Sequence, residues 1–530
     1  MRTNPHEITH QVLAARGLGG HRQYRIPALA VSTRGTVLAA YDGRPNLDDL
    51  PNTIDLLVRR SLDHGRTWEP QQDVRVGTGL QGFGDPSLLV DRVTGRIFCF
   101  HAAGTHAGFF EAVEGLEPED DVQHVDLSFS DDDGLTWTHR RVTASLKPQG
   151  VTGLFAAAGA GIQIETGPFA GRLVQQMVLL LRGEIRAASA YSDDHGDTWT
   201  LGEPTGPGAN ENKVVELRDG RLLLSSRAKG CRLQAVSTDG GRSYGPLHPV
   251  HDLPDPSDNG SVLRLGDVTD VAAPLLATNN RDADLRRNTV LSVSHDEGAT
   301  WRPALTICAG SSAYSTGAVL ADGALGVLYE RDGYREIVFA RVEPEALSPA
   351  VLGEAVETFV DDDGGDFTMV LRSITPGRPA QWVSVGASHV ISAEGGDWGV
   401  HTWKEIGQGY DGDQVLGTRE AQDANYGPAA PGLRAGDILA FTGRYRHQGE
   451  VPVTAGLSGS FDGDVPADFP AVRLSPGEAV LYFTPTYTVT ADDVARGEAR
   501  VECAVQAGDA RFERAFRADT VTGEVVPVER

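Results

Sequence analysis

SLDHGRTW, residues 61–68, decides the fold because it returns four times, as SDDDGLTW (130–137), SDDHGDTW (192–199), STDGGRSY (237–244) and SHDEGATW (294–301). The copies begin 45–69 residues apart, and only the fourth changes its ending, to Ser243 and Tyr244. Each has a mechanical reading. The Asp at the third position (63, 132, 194, 239, 296) accepts hydrogen bonds from backbone N–H groups of a turn. The Gly (65, 134, 196, 241, 298) takes a positive φ that other residues resist. The Trp or Tyr folds back as an apolar plug. Strand-like runs precede every copy: IDLLVRR, VDLSF, RAASAY, LQAVS and TVLSVS. Each copy is therefore a hairpin turn, and a repeat of this length built from strands and hairpins predicts a β-propeller. Five copies require at least five blades. The segment 316–342 supplies further strands without the motif, so the expectation is six blades over residues 1–345, the last closed by a strand near the N-terminus.

Outward from the repeat, the 530-residue chain is all-β in character, with 63 glycines spread along its length. After about residue 345 the repeat stops. Residues 346–430 read as a linker and a small β region of unclear type. Period-two alternation over 431–530 suggests an immunoglobulin-like β-sandwich. The formal net charge of −26 opposes nucleic-acid binding, which needs basic residues to neutralise phosphates. No run of eighteen apolar residues exists to span a bilayer. The N-terminal twenty residues lack the apolar core of a secretory signal, so the expectation is a cytoplasmic protein or a chain whose signal has been removed, with secretion left open. Cys99, Cys231, Cys308 and Cys503 form no C-x-x-C pair; they read as free thiols filling small buried spaces rather than as a zinc or redox motif.

One strand does not read as scaffold. HRQYRIPALA, residues 21–30, is apolar from Ile26 onward, yet Arg25 stands at its mouth. A guanidinium is always charged, and burying it unpaired is costly. Arg25 therefore reaches solvent or meets an anion.

YRIP followed by five such turns resembles the bacterial exo-sialidases, retaining neuraminidases built on a six-bladed propeller, over roughly residues 20–345. The resemblance implies three arginines that hold the sialic acid carboxylate: Arg25, Arg227 in RLLLSSRA, and Arg286 in DLRRNTVLSVS, with Arg287 as the alternative one residue on. It implies a nucleophile at Tyr314 in SSAYSTG and a general base at Glu211, sixteen residues before Arg227, with Glu216 fitting less well. It places the acid/base at Asp49 in NLDDLPNTID, with Asp48 beside it, and a brace for the first arginine at Glu330 in GVLYE. Arg44 in YDGR and Asp85 in GFGDPSLL match residues that touch the O4 region of the sugar. The substrate so implied is a terminal α-linked sialic acid of a glycoconjugate, taken without metal or cofactor. The other readings are a sialic-acid-binding propeller without turnover and a trans-sialidase.

Elementary chemistry gives reasons for these residue types. Sialic acid carries a carboxylate on the reacting carbon, so a carboxylate nucleophile would approach it against like charge. A neutral phenol avoids that repulsion, but with a pKa near 10 it needs a base. Arginine suits carboxylate capture because its planar fork binds two oxygens at once. His21, His101 and His106 read as structural or rim residues.

Overall fold

The computed structural model describes residues 8–347 except 16, 22, 46–48, 284–285, 332–333 and 335, and separate segments between 369 and 527. Asp48 lies outside the described residues, as does the side chain of Arg287. Chain contacts divide the molecule into two units, residues 1–284 with 288–356, and residues 285–287 with 357–530.

The first unit is a six-bladed propeller. Blade 1 is Gln23–Val31, Val37–Arg44, Asp55–Ser61 and Gln72–Arg75, hydrogen-bonded in that order. Blade 2 is Gly82–Val90, Ile97–Gly104, His124–Ser130 and Thr138–Arg141, and blade 4 is Asn212–Glu216, Leu222–Ser226, Lys229–Ser237 and His248–Pro256. In blade 3 the innermost strand is broken into Val151–Ala156 and Ile162–Gln163, both paired with Leu173–Leu181. Between the two pieces, Gly159–Ala160 pairs in parallel with the inner strand of blade 2. Glu184–Ser192 and Thr200–Leu201 complete blade 3. Blade 5 is Ser261–Arg264, Leu275–Asn280, Arg287–Ser294 and the start of one long strand, Arg302–Val319, whose second half is the innermost strand of blade 6. Leu325–Arg331 and Glu336–Val342 follow, and Ile8–Ala15 pairs with Glu336–Val342 as the outer strand of blade 6. The ring thus closes as the sequence predicts.

Inner strands are buried on both faces, which is why Val37–Arg44 and Ile97–Gly104 are buried throughout instead of alternating. The core lies between blades: Phe98, Phe100, Leu127, Met177, Leu179 and Trp199 pack across the blade 2–blade 3 contact.

The repeated turns behave alike. In the first, Thr67 N–H and Oγ1 donate to the Asp63 carboxylate at 2.8 and 2.6 Å, and Gly65 N–H donates to Ser61 Oγ at 2.8 Å. Gly65, Gly134, Gly196, Gly241 and Gly298 all have φ between 81° and 87°. The residue before each glycine is also left-handed, with φ between 59° and 68° at His64, Asp133, His195, Gly240 and Glu297, so both central positions are those of a type I′-like hairpin turn. The plugs are buried or half-buried. Trp199 stacks edge-on against Phe98 and Phe100 of blade 2, and Trp68 against Phe339 of blade 6. Each turn therefore clamps its own blade to the preceding one. Each joins the third strand of a blade to the fourth. Blade 6 has no such hairpin, because its fourth strand comes from the other end of the chain.

Among the described residues, the second unit holds two sheets. One runs Gln381–Val385, Met369–Ser373, Ile438–Arg446, Ala479–Phe483; the other runs Val465–Asp468, Val453–Phe461, Glu498–Ala507, Ala510–Asp519, Val525–Pro527. The first sheet takes strands from both sides of residue 430, the expected boundary. The short helix Ala491–Arg496 starts on a capping box between Thr490 and Asp493. Most of residues 346–430 lie outside the described residues. Cys99 is buried as expected, whereas Cys231 and Cys308 are half-buried. Among the described residues no helix is long and apolar enough to cross a membrane.

Candidate active site

Register separates turn from site. In blade 1, Arg25 pairs with Asp42 and Gln23 with Arg44, whereas the repeated turn begins at Ser61, opposite Val37 and Val31. Six residues of strand, about 20 Å at roughly 3.3 Å per residue, divide the two ends.

At the site end, the innermost strands of blades 1, 2 and 6 are bulged next to candidate site residues: between Arg25 and Ala28, between Gly84 and Ser87, and between Ala313 and Ser315. A bulge adds a residue and re-aims its side chain. The bulged residues include Ile26 at φ 61° and Asp85 at φ 59°. A β-branched residue in that region costs on the order of 1–3 kcal/mol and needs support. Glu330 supplies it by accepting the Ile26 N–H at 2.8 Å.

The same carboxylate answers Arg25. Arg25 Nε donates to Glu330 Oε1 at 3.1 Å and Nη2 to Oε2 at 3.4 Å, with both side chains buried. The guanidinium lies 4.3 Å from the Tyr334 ring centroid and 5.2 Å from that of Tyr314. Across the depression, the pairing of Asn212 with Ser226 sets Glu211 opposite Arg227, whose N–H donates to the Glu211 carbonyl at 2.9 Å. Tyr314 OH donates to Glu211 Oε2 at 2.5 Å, and Arg227 Nη1 donates to both, each at 2.5 Å. Arg227 Nε reaches Ser257 Oγ at 3.4 Å. Glu216 points elsewhere, accepting from the N–H groups of Glu165 and Thr166 at 2.6 and 2.9 Å, so the structure joins Glu211, not Glu216, to Tyr314.

A third cluster surrounds Arg44. Its Nη2 donates to Asp42 Oδ2 and its Nη1 to Asp49 Oδ1, both at 2.6 Å, while Asp85 Oδ1 lies 3.9 Å from Nη2. The Asp85 N–H donates to Asp42 Oδ1 at 3.1 Å. Burial, with the Asp42 and Asp49 carboxylates beside it, holds Asp85 well above the usual carboxylate range. Burial likewise pushes Asp42 up to about 7, against the pull of Arg44. Asp49 is the solvent-facing member, with its side chain 46% exposed on the loop after blade 1's second strand. Arg286 is fully buried immediately before Arg287–Ser294.

Sequence reasoning missed Asp42, Tyr334, Ser257 and Asn259. Asp42 stood in the YDGR motif beside Arg44; the other three lie in turn-like stretches, PDPSDNG and RDGYRE, where Gly, Pro and Asp speak of loops.

Fold and site together define a propeller of the five-turn type with an arginine-flanked Tyr–Glu pair at its centre. The chain belongs to the family described as the BNR repeat-like domain, whose model matches residues 35–327. Over 335 residues it is 47% identical to a sialidase of Micromonospora viridifaciens, covering 61% of this chain and 52% of that protein. Over 328 residues it is 29% identical to a sialidase of Bacteroides fragilis, covering 58% and 60%. The chain thus spans about half to three fifths of these relatives' lengths. Among solved structures, a Hadza microbial sialidase matches with a TM-score of 0.57 at 30% identity over 62% of this chain and 66% of that one. The intramolecular trans-sialidase from Ruminococcus gnavus matches with a TM-score of 0.56 at 20% identity, over 64% and 96%, and speaks to the fold alone.

Proposed function

We propose that this protein is an exo-sialidase that hydrolyses terminal α-linked sialic acid with retention, through a tyrosyl-enzyme intermediate. The observation that carries the reading is the Tyr314–Glu211 hydrogen bond of 2.5 Å, held between Arg227 and Arg25. In this reading Arg25, Arg227 and Arg286 receive the substrate carboxylate. Glu211 accepts the phenol proton as Tyr314 attacks the anomeric carbon, the Tyr-nucleophile exception to the two-carboxylate glycosidase scheme. Asp49 protonates the leaving oxygen and then, as base, takes a proton from the water that displaces Tyr314 from the anomeric carbon, while Glu211 returns its proton to the departing phenolate and so breaks the aryl glycosidic bond. Arg44 and Asp85 contact the sugar near O4. The names of the relatives support the substrate class, and the site's charge supports an anionic sugar inside a protein that is acidic as a whole.

The test is turnover of a fluorogenic aryl sialoside followed by proton NMR of the sugar released. The reading expects the α-anomer first, and loss of at least a thousandfold in kcat for Tyr314→Phe. First appearance of the β-anomer, or an active Tyr314→Phe enzyme, overturns it.

A further inference from the structure

Beneath the Tyr314–Glu211 pair, two residues along the inner strand of blade 4, lies Lys213. Lysine is almost never fully buried without a partner of opposite charge, yet Lys213 is 2% exposed and, among the described residues, no carboxylate lies within ion-pair distance of it. Its Nζ donates instead to Asn259 Oδ1 at 2.9 Å and to the Asn212 carbonyl at 3.4 Å. Gly159, at φ 124°, makes room for it: a Cβ there would stand 2.6 Å from Lys213 Cε and 3.3 Å from Thr316 Oγ1. On its other side the lysine stem and Thr316 line a central cavity of about 560 Å³.

Asn259, the acceptor, is tied to the site three ways. Its carbonyl accepts the N–H of Ser315, the residue after Tyr314, at 3.0 Å. Its Nδ2 donates at 2.9 Å to the carbonyl of Ala158, which packs against Tyr314 and Ile26. Ser257, two residues earlier, accepts from Arg227. The charged neighbours of Lys213 are Glu211, which favours its ammonium form, and Arg232, which opposes it; burial dominates and draws Lys213 down to about 7. Glu211 in turn faces Arg227 and Tyr314 directly, and Asp85 of blade 2 through space.

Resting on the proposed catalytic reading, we infer that Lys213 is a positioning residue for the Tyr314–Glu211 pair: through Asn259 it fixes the strand that carries Tyr314. A merely structural lysine would be replaceable by an apolar side chain of the same length at no cost beyond stability.

Two variants cut the tether from its two ends. Lys213→Met and Asn259→Ala should each lower kcat by about tenfold with KM kept, and the double variant should lose little more than either alone, because both remove one link. The strand is also read without substrate: hydrogen exchange at the Ser315 amide, held by the Asn259 carbonyl, should speed up in both variants. Fully additive losses, or a folded Lys213→Met enzyme with wild-type kcat and unchanged Ser315 exchange, overturn the inference. A wild-type enzyme inert on sialosides, with Ser315 exchange still raised by Lys213→Met, removes the substrate reading and leaves the role of Lys213 standing.

Discussion

Glu330 is the residue on which most depends, since one carboxylate holds a guanidinium and a left-handed isoleucine together. Glu330→Ala removes the carboxylate from Arg25 and the acceptor from the Ile26 N–H together, and breaking a buried pair typically costs about 3–5 kcal/mol, so its melting point should fall well below that of the wild type. An unchanged melting point would show that the pair contributes little. Asp49 carries a kinetic prediction. If it is the acid, Asp49→Ala should lose about 10²–10⁴-fold on sialyl-galactosides and far less on aryl sialosides, whose phenols leave unaided; equal losses would place the acid elsewhere. His101 carries a thermodynamic one. It is fully buried against Ser128, and burial lowers it from 6.5 to about 4. The unfolded chain binds a proton there between pH 6.5 and 4 that the native state refuses, so stability falls as pH drops through that window, by about 3 kcal/mol at its foot. His101→Gln should flatten that part of the acid-unfolding curve. Arg25, Glu211, Arg227 and Tyr314 were legible in the sequence because a hairpin fixes the spacing of Glu211 and Arg227, and the motifs mark the others. Asp42 and Tyr334 were not, since they act by contacts that register and ring closure create.

Among elements, the five repeated turns and the three bulges divide the labour. The turns' hydrogen bonds and the glycine φ were readable, because both are local. That each glycine abuts the preceding blade was not, because it depends on how blades stack. A Cβ on Gly196 would fall on the Phe98 ring of blade 2, and the residue sits at φ 84°. Gly196→Ala should therefore cost about 2–4 kcal/mol of stability, from strain and overpacking, while leaving KM unchanged, since the turn lies at the far end of the sheet from Arg25. A changed KM with an unchanged unfolding midpoint would contradict the separation of turn from site. The bulges at Ile26, Asp85 and Tyr314 escaped the sequence for a related reason: a bulge is a mismatch between two strands and has no signature in either alone.

At the scale of the molecule, the count of five turns for six blades follows from closure. Deleting residues 8–15 would leave Glu336–Val342, with its apolar Ile337–Ala340, as an open edge, the kind of strand that recruits other chains. Such a variant should aggregate and lose activity together, as seen by light scattering and sialoside turnover; a monomeric, active deletion would mean that the ring does not need its clasp. Closure also orders events in time. Ile8 pairs with Val342, and Arg25 with a glutamate 305 residues downstream. On the ribosome, the earliest of these strands to emerge is the last to find its neighbour, and throughout that wait the arginine has no Glu330 to meet. The loop that must close is nearly the whole propeller, which makes the final step slow relative to the local hairpins. On the proposed function, a nascent chain cannot acquire a working centre piecemeal: the site is complete only when the circle shuts, and sialoside turnover during synthesis becomes a clock for that event.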